Sequence, residues 1–234
     1  MEYWLDTGEI AAEEHAGGEV ATALFGAACG CDVFEQRILR FAGGGGDRRD
    51  DERDEVLYVL AGGGAATVGR ELYELAPGTA VFVARGTPWR IERSEGLSVL
   101  SVLVNAPDEP GSTHAVLSWG DRASATAGRQ FTLLATPEHG CASVTQFVGF
   151  IPQGAAPDHF HAYDEVVYVL EGEGSLHIDG ESRPLHPGAC VHLPARLVHC
   201  LENFGPGEMQ VLGVFRPAGS PAEAYYPDGT KAVY

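Results

Sequence analysis

The sequence predicts an all-β protein made of two small antiparallel β-barrels in tandem. Glycine and proline usage, short β-branched runs closed by turn residues, and an internal repeat carry that prediction. The 31 glycines and 14 prolines are spread along 234 residues, as expected for many short strands joined by tight turns. Shifted by 110 residues, the chain realigns on itself without a gap. Asp54–Gly64 falls on Asp164–Gly174 with eight of eleven pairs identical. In the same register Cys31 meets Cys141, Gln36 meets Gln146, Leu75 meets Leu185, Pro77-Gly78 meets Pro187-Gly188, Val81 meets Val191 and Glu92 meets Glu202. Chance does not hold one register from Cys31 to Glu92, so the chain is a duplication. The expected halves are residues 1–112 and 113–234. Asp108–Arg129, rich in small and polar residues, is the expected linker.

The elements follow in order. Ile10–Leu24 is the one helical candidate, interrupted by Gly17-Gly18. In the second copy, residues 165–170 read Glu-Val-Val-Tyr-Val-Leu, a strand that Gly172 and Gly174 close. Ser175–Gly180 alternates and ends in Asp-Gly, the mark of a hairpin arm. Pro187-Gly188 is a turn before an apolar run to Pro194, and Met209–Phe215 is a last strand. Such strands, evenly spaced, imply an antiparallel barrel or jelly roll present twice.

A net charge of −18 argues against nucleic acid and anionic membrane surfaces as partners. Lys231 is the only lysine. No apolar run approaches the roughly 20 residues of a spanning helix, and Met1-Glu2-Tyr3-Trp4 lacks a secretory start, so a cytoplasmic location is expected. Five cysteines, an odd number, read as buried free thiols rather than a disulfide framework.

The second copy carries the chemistry. His159 and His161 lie two apart, on one face of an extended segment. Glu165 follows four residues later, and a straight strand would put it about 13 Å away. If all three bind one ion, the chain bends at Ala162-Tyr163-Asp164. His199 comes from a later strand. Three imidazoles and a carboxylate suit Mn, Fe, Co, Ni, Cu or Zn, and leave coordination positions open for water, oxygen or substrate.

Gly154, His159-Phe160-His161, Glu165 and Gly172 resemble the first motif of the cupin superfamily. Gly180, Pro187-Gly188, Pro194, His199 and Asn203 resemble the second. The resemblance spans the core of both halves and implies a bicupin, with one divalent metal ion held inside the C-terminal barrel. It implies His159, His161, Glu165 and His199 as the ligands. Cupins host dioxygenases, decarboxylases, isomerases, lyases and non-enzymes, so the motifs leave the reaction open.

At the shift of 110, His159 meets Arg49, His161 meets Asp51 and His199 meets Trp89, and only Glu55 survives. The N-terminal barrel is expected to be structural; the weaker alternative makes Arg49, Arg85 or Arg90 part of an anion pocket. His177 and His186 read as surface residues. His192 is the remaining histidine expected to come nearest the site, and Cys200 is expected to face away from it. Gln36 and Gln146 read as structural, and Arg216 as a surface residue. One of Phe147, Phe150, Phe160 and Phe215 is expected to line the pocket. The expected function is a metal-dependent enzyme acting on a small organic molecule, with a dioxygenase using Fe favoured. The alternatives are a Lewis-acid isomerase, decarboxylase or cyclase, and a non-catalytic ligand-binding protein. Because single cupins commonly pair by strand exchange and a bicupin can make that contact within one chain, either a monomer or a homodimer is expected.

Overall fold

The computed structural model describes residues 3–15, 18–106 and 114–232. Among them there are β-strands and three 3-10 turns but no α-helix. The helical candidate Ile10–Leu24 is overturned: Glu13–His15 pairs with Glu19–Ala23 as a hairpin. Glu19–Ala23 then extends the sheet along Phe34–Phe41. A polar, glycine-broken segment gains more from an edge ladder than from an unsupported helix.

An eight-stranded sheet holds the N-terminal strands, with Phe34–Phe41, Trp89–Asn105, Arg53–Val68 and Ala80–Val83 side by side. The same order recurs in a seven-stranded sheet of Thr145–Ile151, Met209–Arg216, Asp164–Glu171 and Ala189–Leu193. Glu55 lies opposite Val83, and Glu165 opposite Leu193, so the repeat survives as paired register. A four-stranded sheet with Gly174–Ile178 at its centre completes the C-terminal part. Asp179 and Gly180, at φ 51° and 79°, turn its hairpin, as the Asp-Gly pair predicts.

The strands have two buried faces, which explains their nearly continuous apolar sequences. Leu57 and Val59 face their own interior, with Leu39, Val81 and Trp89. Val56 and Tyr58 face the other way and join a core shared with Val148, Val166, Leu212 and Val214. Each large aliphatic or aromatic side chain so buried contributes roughly 1.5–3 kcal/mol.

The expected boundary at 112/113 lies outside the described residues, as does the start of the expected linker. Strand pairing does not follow that division. Trp4–Asp6 pairs with Ala189–Leu193 in the C-terminal sheet, and His114–Leu117 pairs with Ala80–Val83 in the N-terminal one. Each sheet thus receives an edge strand from the far side of the boundary, which protects backbone groups that an open edge would expose. The later part of the linker is also ordered, since Ala123–Ser124 pairs with Gln130–Leu133.

Candidate metal centre

His159 and His199 sit on directly opposed backbones, each amide N–H donating to the other's carbonyl at 3.1 and 2.9 Å. His161, two residues on, shares the face of His159. The chain then bends at Ala162-Tyr163 and enters the strand carrying Glu165. Ligand atoms of His159, His161 and His199 all lie within 4.8 Å of one another. Glu165 stands outside that trio, with its carboxylate 4.0 Å from Nε2 of His161.

Each imidazole is held by a backbone carbonyl. Nδ1 of His159 lies 2.9 Å from the Pro157 carbonyl, that of His161 2.8 Å from Glu223, and that of His199 2.9 Å from Leu197. A carbonyl only accepts, so all three carry the proton on Nδ1 and leave the Nε2 lone pair bare. Burial holds their pKa values down: His161 falls to about 3, through desolvation and then the neighbouring His159. His199 is pushed well below its usual value by the same causes, and His159 is lowered chiefly by desolvation. Neutral, oriented imidazoles are the form that binds a metal, so these residues fit a divalent ion.

Glu165 is 4% exposed, and burial raises its pKa to about 8, with the cation of Arg129 opposing the rise. Gly213 makes room for it: a Cβ there would come within 2.3 Å of the Phe147 ring and 2.8 Å of the Glu165 carboxylate. The four residues line a cavity of about 90 Å³, well above the roughly 10–15 Å³ that one water requires. Phe131, Phe147 and Phe150 share the wall, so more than the one expected phenylalanine reaches it. Phe160 instead stacks on Tyr225.

Residues 146–215 match the family model of the Cupin domain. That match covers less than a third of the chain. Relatives share parts of it: a stretch of 78 residues is 33% identical to an uncharacterised protein of Aquifex aeolicus, covering 32% of this chain and 62% of that one. Another of 77 residues is 36% identical to quercetin 2,3-dioxygenase of Bacillus subtilis, covering 29% of this chain and 23% of that enzyme. The chain therefore spans less than two thirds of these relatives. Among solved structures, a Pseudomonas aeruginosa protein named for induction by glyoxylate has a TM-score of 0.78 at 18% identity, over 92% of this chain and 89% of its own. A mutant of oxalate decarboxylase from Bacillus subtilis has a TM-score of 0.73 at 14% identity, over 92% and 77%. These likenesses show a shared fold.

Among the other sequence expectations, the one for His192 is overturned and the one for Cys200 holds. His192 turns from the histidine-lined cavity into the shared core, 5.6 Å from the Phe25 ring, with neither ring nitrogen hydrogen-bonded among the described residues. Strand alternation explains this, since its neighbour Leu193 takes the cavity side. Cys200 donates to the Ala156 carbonyl and stays off the cavity wall. His177 meets Glu202, His186 lies 3.3 Å from Asp6, and Arg216 donates to the Asn105 carbonyl. Gln36 and Gln146 are buried. No described helix is long and apolar enough to cross a membrane.

In the N-terminal part Arg48, not Arg49, lies opposite Trp89 in the place His159 takes opposite His199. The ungapped shift misses this one-residue slip. Arg49 pairs with Asp51 at the surface, and Arg90 with Glu92. The interior cavity there is about 10 Å³ and lined by apolar residues. Sequence reasoning also missed Arg129 and Thr126, which line the C-terminal cavity. They lie in the expected linker, and no motif marks them.

Proposed function

We propose that the chain is a metal-dependent bicupin enzyme that binds one divalent ion through His159, His161, His199 and Glu165. In this reading it acts on a small organic molecule in the C-terminal barrel. The observation that carries the reading is the carbonyl bonding at all three Nδ1 atoms, which leaves three neutral Nε2 lone pairs on imidazoles whose ligand atoms lie within 4.8 Å of one another. Glu165 closes the set from 4.0 Å beyond His161, and its charge is stabilised when a cation replaces its proton. A bound divalent ion would supply Lewis-acid polarisation or, if redox-active, the use of oxygen.

Among reactions the reading favours an oxygen-using one with Fe, supported by the partial likeness to quercetin 2,3-dioxygenase. The second reading is Lewis-acid isomerisation, decarboxylation or cyclisation without oxygen, and the fold shared with oxalate decarboxylase favours it. The ion would be Mn, Co, Ni, Cu or Zn where Fe is not found. The edge strands exchanged within one chain support a monomer.

Metal analysis of the purified protein tests the site: one equivalent is expected, lost in His159→Ala and His199→Ala. Absence of metal after reconstitution would overturn the reading and favour a metal-free binding protein. Assay with and without oxygen separates the reactions, since turnover undiminished under anaerobic conditions would exclude the dioxygenase.

A further inference from the structure

Two polar groups on the cavity wall have no part in the metal reading. Arg129 and Thr126 come from one tight turn, where Ala127 and Gly128 take φ of 60° and 72°. The Ala125 N–H closes that turn by donating to the Arg129 carbonyl at 2.8 Å. The chain is thereby folded back so that both side chains line the cavity that holds His159, His161, Glu165 and His199.

Neither group is satisfied within the protein. The Arg129 guanidinium donates from Nη2 to the Leu201 carbonyl at 2.6 Å, its one head-group partner among the described residues. A guanidinium has five N–H donors. Other arginines here find carboxylates: Arg37 and Arg53 meet Glu35, Arg122 meets Glu208, and Arg183 meets Glu181. Arg40 and Arg216 also lack a carboxylate, bonding instead to the Thr22 hydroxyl and the Asn105 carbonyl, but Arg129 is the arginine that lines the cavity. The Thr126 hydroxyl is buried without a hydrogen-bond partner among the described residues, a costly state that a ligand would relieve.

We propose that Arg129 and Thr126 form an anion subsite, and that the cavity takes a small carboxylate held by this guanidinium and hydroxyl. The planar fork of the guanidinium matches the two oxygens of a carboxylate. Leu201 holds that fork in place, so little freedom is lost on binding. One guanidinium and one hydroxyl suit a single carboxylate, whereas a phosphate ester would call for more donors. The rest of the wall, including Phe131, Phe147, Val167, Leu193 and Val211, suits a short carbon skeleton. Among the described residues Glu165 is the sole carboxylate on the wall, and in the reading above it belongs to the metal. The proposal names the substrate class for that reading and rests on it for the chemistry, but not for binding.

Titration calorimetry of the full-length protein with pyruvate and with its uncharged amide, pyruvamide, tests the subsite. Metal content is measured on the same samples. Pyruvate should bind more tightly than pyruvamide by about tenfold or more. Arg129→Gln should lose that preference, Arg129→Lys should keep part of it, and Thr126→Val should weaken pyruvate binding while sparing pyruvamide. Should Arg129→Gln not fold, the lysine and valine variants decide. Unchanged pyruvate affinity in the variants would overturn the subsite, leaving the carboxylate to the metal alone. Metal at one equivalent with no carboxylate preference would overturn the subsite and leave the metal reading intact. An Arg129-dependent preference in protein that takes up no metal would support the subsite and sink that reading.

Discussion

Glu55 and Glu165 occupy matching places in the two interiors, and their surroundings are opposite. Glu55 is met by three protein donors: the indole N–H of Trp89 at 2.8 Å, the hydroxyl of Ser101 at 2.5 Å and the guanidinium of Arg37 at 3.4 Å. The pairing register puts Phe147 and Gly213 at the places of Arg37 and Ser101 around Glu165, and the sequence shift puts His199 at that of Trp89. None of these donates to Glu165. One carboxylate is sealed into a hydrogen-bonded plug, in an interior whose cavity, lined by Trp89 and aliphatic residues, is only about 10 Å³. The other lies 4.0 Å from the His161 imidazole and borders, with His159 and His199, a cavity of about 90 Å³. A buried carboxylate needs donors or a cation. The two halves differ on one backbone pattern: protein donors in place around Glu55, and none of the matching residues donating to Glu165, which the proposed function assigns to an ion.

The largest effect that would break this contrast is on the metal. His161→Ala or His199→Ala should weaken binding by about 100-fold or more, at or beyond the range for losing an outer-shell partner, as an equilibrium titration with a chelator would show. Trp89→Phe, at the N-terminal counterpart of His199, should leave metal affinity unchanged.

Next in size is the response of the two carboxylates to neutralisation. Glu55→Gln removes the charge from three hydrogen bonds and should cost roughly 1.5–3 kcal/mol in denaturant unfolding. Glu165→Gln in metal-free protein should cost nothing or stabilise, because no donor loses a partner.

The pH dependence sharpens the same contrast. In the metal-free folded chain Glu165 keeps its proton up to about pH 8, against an ordinary value of 4.5. The folded state therefore binds more protons between those values, and its stability falls as pH rises through them. Relative to Glu165→Gln, the metal-free wild type should lose stability from about pH 4.5 to 8. His161, lowered to about 3 from 6.5, acts in the opposite sense, since the unfolded chain takes up protons first as pH falls below 6.5. Melting curves of the two proteins across this range separate the effects, and parallel curves would count against the burial of Glu165.

The smallest effect lies at the shared core. His192 stands where the first half has Phe82, and its ring nitrogens are buried without partners among the described residues. His192→Phe should raise stability by about 1–3 kcal/mol, measured by thermal melting. A fall would mean that ordered water serves the imidazole.

Much of this was legible in the chain itself. The repeat fixed on Asp54–Gly64 and Asp164–Gly174 reappears as matched strand pairing, because register in two-faced strands is tightly specified. The His159–His161 pair was readable from spacing, as was the bend at Ala162-Tyr163, whereas His199 was reached only through the resemblance to the second cupin motif. The exchanged edge strands were not, because three residues such as Trp4–Asp6 carry no periodicity and draw their stability from the edge they join. Arg129 stayed hidden for a related reason: its role depends on a backward turn through two positive-φ residues, not on any neighbouring motif. The slip that puts Arg48 opposite Trp89 needs spatial pairing to be seen.

In the proposed function one interior of the pair binds a metal ion and the other is closed to it. Titration of metal-free protein with Mn(II) or Co(II), followed by equilibrium dialysis, tests it most directly. One ion per chain is expected, lost in His161→Ala and retained in Glu55→Gln. Two ions per chain, or loss of binding in Glu55→Gln with His161→Ala unaffected, would contradict it.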